Sequence, residues 1–139
     1  MRRYLLDSGP VAAFLLGRKA AVDLISPWIM NREAATSILV YAEVVEYVKG
    51  LPNFPRRHED LRVLFSEIYP YFPTFSILDR YADIRRTLRP PYGAGLIGDI
   101  DTLIAATALE LDLTIVTVDS DFERVPDLKT MRIVLKSSP

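Results

Sequence analysis

The stretch Leu113-Thr114-Ile115-Val116-Thr117-Val118-Asp119 decides the fold class. It is apolar and β-branched without alternation, the pattern of a strand buried on both faces, and such strands belong to parallel sheets covered by helices. It also ends on an acid. Immediately upstream, an alanine-rich segment predicts a helix from Ile100 or Asp101 to about residue 111. Downstream, Asp119-Ser120-Asp121-Phe122 reads as a turn and residues 131–135 as a final strand. Farther out, residues 92–98 form a glycine-bearing loop. Residues 74–78 read as a short strand ending at Asp79, which caps a helix over 80–88 that halts before Pro90-Pro91. Residues 57–69 read as a helix behind a proline loop at 51–55. Ser37 is placed to cap a helix over 38–49, with Ile38, Ala42, Val45 and Val48 as its apolar stripe and Gly50 as its end. Ala34-Ala35-Thr36 is the least marked strand. Residues 19–29 predict a helix bent or broken at Ser26-Pro27. Tyr4-Leu5-Leu6 is a strand ending on Asp7, with Pro10 opening a helix through residue 16.

This alternation predicts a three-layer α/β/α fold, with a central parallel sheet flanked by helices and right-handed crossovers, in one domain over 1–139. In such sheets, sites form beyond the carboxyl ends of the strands.

Composition narrows the chemistry. The chain has 139 residues, half of them hydrophobic, 17 Lys+Arg against 18 Asp+Glu, no cysteine and one histidine, His58. That inventory excludes disulfides, thiolate nucleophiles, iron–sulfur clusters and zinc sites built on cysteine or several histidines. A metal would have to sit on carboxylates, which favours hard ions. Balanced charge argues against a generally basic coat. Asp7 arrives before a signal-peptide core could form, and no apolar run approaches the ~20 residues of a membrane span, so the expectation is a cytoplasmic protein with no membrane partner.

Asp7 and Asp119 each follow a strong strand, which puts them at one rim of the sheet. Asp101 opens a helix on that rim. Glu43 lies beside an apolar helix stripe, with no Lys or Arg three or four residues away to offset its desolvation. Each acid also has an ordinary explanation. Asp7 with Ser8 could cap a helix, Asp101 or Asp99 could serve a helix start, and Asp119 and Asp121 could be turn residues. Together they would repel one another and raise each other's pKa values unless a dication were shared.

The blocks Tyr4–Ser8, Ser37–Glu43, Gly98–Ala108 and Thr117–Phe122, extending through Leu128, resemble the PIN domain family, and within it the VapC-type toxin ribonucleases. The Asp101-Thr102-Leu103-Ile104-Ala105-Ala106 block is the most specific of them. The resemblance places a metal-binding and catalytic quartet on Asp7, Glu43, Asp101 and Asp119, with Asp121 assisting. Ser8, Thr117 and Asp99 fall at supporting polar positions, and Gly9 stands where the family often has asparagine. It implies an Mg2+- or Mn2+-dependent endoribonuclease that hydrolyses RNA through metal-activated water. It further implies a homodimer held inactive by a small cognate antitoxin.

RNA binding would need basic surface near the acids. Arg80, Arg85, Arg86 and Arg89 form one candidate set and Arg56-Arg57-His58 another; both are slightly better explained as solvated faces paired with Glu59, Asp60 and Asp83. Tyr69, Tyr71, Phe72 and Phe75 read as core, as a dimer face or as a base-stacking platform, and Trp28 and Tyr47 as residues facing an antitoxin groove. Two other readings stand beside the toxin: a PIN-fold RNA-processing or RNA-binding protein without an antitoxin, and a phosphoreceiver-like signalling domain. The last wants a lysine after the final core strand, and neither Lys129 nor Lys136 is so placed.

Overall fold

The structure, a computed structural model, describes residues 1–135; Lys136 lies outside them. Its strands are β1 (Tyr4–Leu6), β2 (Ala34–Ser37), β3 (Tyr69–Tyr71), β4 (Thr114–Thr117) and β5 (Thr130–Arg132). Its helices are α1 (Ser8–Leu15), α2 (Lys19–Met30), α3 (Ile38–Lys49), α4 (Phe54–Glu67), α5 (Phe75–Leu88) and α6 (Asp99–Leu111), with a short 3₁₀ helix over Ser120–Arg124. Every pairing is parallel, in the order β3-β2-β1-β4-β5. The chain steps from β1 outward through β2 to β3, then crosses back to β4 on the other side of β1. With right-handed crossovers, α1–α4 cover one face and α5 and α6 the other, and the helices of each group pack on one another. The strand order reverses between β1 and β4. Ligands of open α/β sheets bind in the crevice at such a reversal.

The sheet is covered on both sides, and its central strands are correspondingly apolar. Leu5, Ala34, Ala35, Ile115 and Val116 are fully inaccessible. Where polar groups enter this layer they have partners: the Thr36 hydroxyl donates to the Leu6 carbonyl (2.8 Å), and the Ser37 hydroxyl accepts from the Leu39 amide (3.1 Å) to cap α3. Pro10 falls in the first turn of α1, where the absent N–H has no helical partner to lose. Gly17, at φ +73°, makes the left-handed turn between α1 and α2.

Several sequence expectations are corrected here. Residues 74–78 are not a strand: Thr74 caps α5, its hydroxyl accepting from the Ile77 amide (3.3 Å), and Asp79 lies within that helix. The missing strand is β3, Tyr69-Pro70-Tyr71, at the end of what reads as a helix. It pairs only with β2, so Pro70 sits on an edge, the one place in a sheet where its lost donor is tolerated. The α2 helix runs unbroken through Pro27, whose neighbour Trp28 stacks on Tyr4 with ring centroids 3.9 Å apart. The buried stripe of α3 is Val40, Val44 and Val48, so Ala42 is turned outward. The α4 helix begins at Phe54, and β5 ends at Arg132. Among the described residues no helix is long and apolar enough to cross a membrane.

Candidate metal centre

Asp7 leaves β1 at the reversal and occupies the N-cap position of α1, yet its side chain makes no capping bond. The carboxylate is held from the neighbouring strand instead. The Thr117 hydroxyl, at the end of β4, donates to Asp7 Oδ2 (2.7 Å) and accepts from the Asp119 amide (3.0 Å). Asp119 Oδ1 in turn accepts from the Asp121 amide (2.8 Å), which caps the 3₁₀ helix. One threonine thus ties together the acids that follow β1 and β4, although 110 residues separate Thr117 from Asp7.

Glu43 comes from α3, one residue before the buried Val44, and Asp101 from the first turn of α6 on the opposite face. Asp7, Glu43 and Asp101 each bring a carboxylate oxygen within 4.8 Å of the others, and Asp101, Asp119 and Asp121 form a second such group. The two groups share Asp101. Five acids therefore meet at the rim where the strand order reverses.

The electrostatics follow from that crowding. Burial raises the Asp7 pKa, with the Asp119 charge adding to it against the bonds from Thr117 and Ser8. Burial likewise raises Glu43, with Asp7 and Glu46 adding and the Ser8 hydroxyl opposing. Asp101 is pushed up to about 6 by burial first and then by Asp7, Glu43, Asp119 and Asp121. Asp7 Oδ1 and Glu43 Oε1 are buried with no hydrogen-bond partner. An unpartnered buried acceptor costs about 1–3 kcal/mol, more when charged. Two such oxygens in an all-oxygen donor set fit a hard divalent cation such as Mg2+ or Mn2+, which takes one or two carboxylates and completes its shell with water and phosphate.

Asp99 does not join the cluster groups. Its Oδ1 accepts from the Tyr81 hydroxyl (2.9 Å) and from Arg85 (2.8 Å), which links α5 to α6. Arg80 is similarly engaged with Glu110 (2.6 Å). Of the four arginines in the first candidate set, only Arg86 and Arg89 are free of such partners among the described residues, and the ion-paired reading holds for Arg80 and Arg85. Arg56 pairs with Asp60 (3.1 Å), and His58 Nε2 lies 3.1 Å from the Tyr41 hydroxyl. Phe72 and Phe75 are exposed, which removes the core reading for them. Lys129 pairs with Asp112 at the far ends of the strands, so it cannot serve a phosphoreceiver-like centre.

Two features escaped the sequence reading. Arg124 lies 3.4 Å from Asp121 and also donates to the Leu96 carbonyl (3.3 Å), so a cation anchors one edge of the acidic group. The three-residue spacing on a short helix was the available signal. Gly9 packs so closely that a Cβ there would lie 3.0 Å from Val118 Cγ2, which brings the first turn of α1 against the end of β4. Beside the cluster, Ser8, Gly9, Ala12, Glu43, Val44, Glu46 and Tyr47 line a cavity of about 350 Å³.

The family model described as PIN domain matches residues 4–128. No curated protein matches the chain by sequence. Among solved structures, the chain is similar to VapBC2 from Rickettsia felis, bound to a DNA fragment from their promoter (TM-score 0.82, 21% identity, covering 94% of this chain and 98% of that one). It is similar to VapBC-1 from nontypeable Haemophilus influenzae (TM-score 0.76, 23% identity, 93% and 96%). It is also similar to VapBC-5, a member of the VapBC family of toxin-antitoxin systems from Mycobacterium tuberculosis (TM-score 0.69, 17% identity, 96% and 100%). At these identities the likeness shows a shared fold.

Proposed function

Because the chain belongs to the PIN domain family, we propose that it is an Mg2+- or Mn2+-dependent endoribonuclease, the toxin of a VapBC-type toxin–antitoxin pair. The observation that carries the nuclease reading is the pair of buried, unpartnered oxygens on Asp7 and Glu43, which suit a cation within a group of five acids. Asp7, Glu43 and Asp101 would hold one ion, and Asp101, Asp119 and Asp121 a second. The ions would supply the positive charge that makes water nucleophilic toward phosphorus and stabilises the departing ester oxygen. The protein's own part is positional. Thr117 fixes Asp7 by its Oδ2 and leaves Oδ1 for a ligand, while the Asp121 amide takes Asp119 Oδ1 and leaves its other oxygen. In the overall reaction, water's oxygen forms the new P–O bond, and the ester oxygen leaves with the proton.

The antitoxin reading is supported by the likeness to VapBC complexes, and the cavity beside Glu43 offers a place for an inserted segment. The homodimer reading is supported by the exposed Tyr69, Phe72, Phe75 and Leu78 around β3 and the start of α5. The test is cleavage of RNA by the purified chain in Mg2+ or Mn2+, with Asp7→Asn and Asp101→Asn alongside. We expect cutting by the wild type, none in chelator, and a loss of at least about a hundredfold in both variants with the fold retained. Full activity in both variants overturns the assignment. A small neighbouring gene product that binds the chain and stops the cutting distinguishes a toxin from a free-standing RNA-processing enzyme.

A further inference from the structure

Gly9 separates two clefts of opposite charge. The cavity on one side contains Glu43 and Glu46. On the other, a cavity of about 450 Å³ runs past Val118 to Arg18 and Arg132, over Ile133, Val134 and Leu135, with no carboxylate among the described residues that line it. Both clefts abut the first turn of α1, the helix that Asp7 begins. The basic one includes Gly9 and Val118, which stand two and one residues from the cluster's Asp7 and Asp119.

Arg132 has one long, exposed ion pair, and Arg18 has none among the described residues. Arg132 stands in register with Thr117, one strand away from the hydroxyl that holds Asp7. It reaches Glu123 only at 3.9 Å, with both side chains about half exposed, and a long exposed pair of this kind contributes little. Arg18 is exposed and has no carboxylate partner or side-chain hydrogen bond among the described residues. The carbonyl of Leu15, at the end of α1, is served by Arg57 instead (3.2 Å). Arg80 and Arg85, candidates from sequence for phosphate contact, are by contrast paired with Glu110 and Asp99.

We propose that the Arg18–Arg132 cleft is the track for the RNA backbone on one side of the scissile bond. This assignment rests on the nuclease reading for its role. The two guanidinium groups bind phosphates on that one side of the phosphate at the acidic cluster, and such contacts set register rather than sequence preference. In the other cavity, beyond Glu43, Glu46 disfavours backbone phosphate, so that cavity receives an uncharged base, for which Tyr47 supplies a ring. The substrate strand thus crosses over Gly9 with its charge on the Arg132 side.

The test measures binding of a labelled single-stranded oligoribonucleotide over a salt series, in an Asp101→Asn background that keeps the RNA whole. Two lost phosphate contacts at roughly 0.7 each predict that Arg18→Ala with Arg132→Ala flattens the log–log salt slope by about 1.4. Arg62→Ala, an exposed arginine on α4, should leave the slope unchanged. Calorimetry with Mn2+ on the otherwise wild-type double variant should show an unaltered metal site. An unchanged slope in the double variant overturns the proposal, as does an equal drop on removing Arg86 and Arg89 with Arg18 and Arg132 intact. A poly-glutamate peptide that loses binding in the double variant while RNA does not would identify a peptide groove, and also overturns it. Wild-type cleavage in Mg2+ or Mn2+ is scored separately: its absence removes the nuclease reading, whereas intact cleavage with an unchanged slope removes only the track.

Discussion

Asp101 is the residue on which both halves of the acidic cluster depend, since each three-acid group includes it. Its pKa stands at about 6 in the folded chain against an ordinary 3.8. A raised carboxyl pKa stabilises the fold relative to the charged form at low pH, and that advantage is lost as pH rises through the folded value. Metal-free Asp101→Asn should therefore melt above the wild type at pH 8, with the gap closing below about pH 4. Because the carboxyl is only half-buried, screening limits the effect to on the order of 1 kcal/mol, or about 4 °C. Thermal scans at the two pH values check this; a gap that widens at low pH contradicts it. The same proton competes with the cation, so Mn2+ affinity of the wild type should fall as pH drops below about 6, read by calorimetry across pH. Thr117 makes a different prediction. Thr117→Val leaves Asp7 Oδ2 and the Asp119 amide without their partner, at a cost of about 1–3 kcal/mol in stability. Mn2+ affinity should fall roughly 10–100-fold, as for other residues that orient ligands. Unchanged metal affinity would show that the threonine only supports the fold. From sequence, Thr117 was visible as a hydroxyl two residues before an acid, but its contact with Asp7 was not, because it spans β4 and β1.

Among the elements, β3 and α5 show where local pattern misleads. Thr74 to Leu78 is β-branched and apolar enough to read as a strand, yet Thr74 is an N-cap whose hydroxyl accepts from the helix it starts. Thr74→Ala should cost about 1 kcal/mol by denaturant unfolding, since it removes that acceptor. A cost near zero would mean that α5 is held by its packing on α6 alone. Tyr69-Pro70-Tyr71 looks unlike a strand because of its proline, and only its pairing with β2 on one side makes the assignment possible. Helix α3 has the length expected from its cap and its terminal Gly50, but its buried face is turned to Val40, Val44 and Val48. With four valines, Ile38, Leu39 and Ala42 on several sides of the helix, hydrophobicity alone does not choose the stripe.

For the molecule as a whole, the acids at the reversal between β1 and β4 amount to a fold held partly against its own charge. A dication that binds only the folded state stabilises it by mass action, by about 2.7 kcal/mol at a hundred times its Kd. Adding Mg2+ or Mn2+ should thus raise the melting temperature, EDTA should reverse the rise, and Asp7→Asn should abolish it. A melting temperature indifferent to metal in the wild type would contradict the centre. Local pattern along the chain was enough for the alternation of strands and helices, for excluding cysteine chemistry and multi-histidine zinc sites, and for the acids Asp7, Glu43, Asp101 and Asp119 as candidates, because strand ends, caps and unpaired charges are local features. The packing of distant segments was needed to group Asp121 with Asp101 and Asp119, to turn Asp99 away to Arg85, and to bring Arg18 and Arg132 to one cleft. Those outcomes depend on which strands become neighbours, and parallel pairing joins residues whose separation along the chain leaves no local trace.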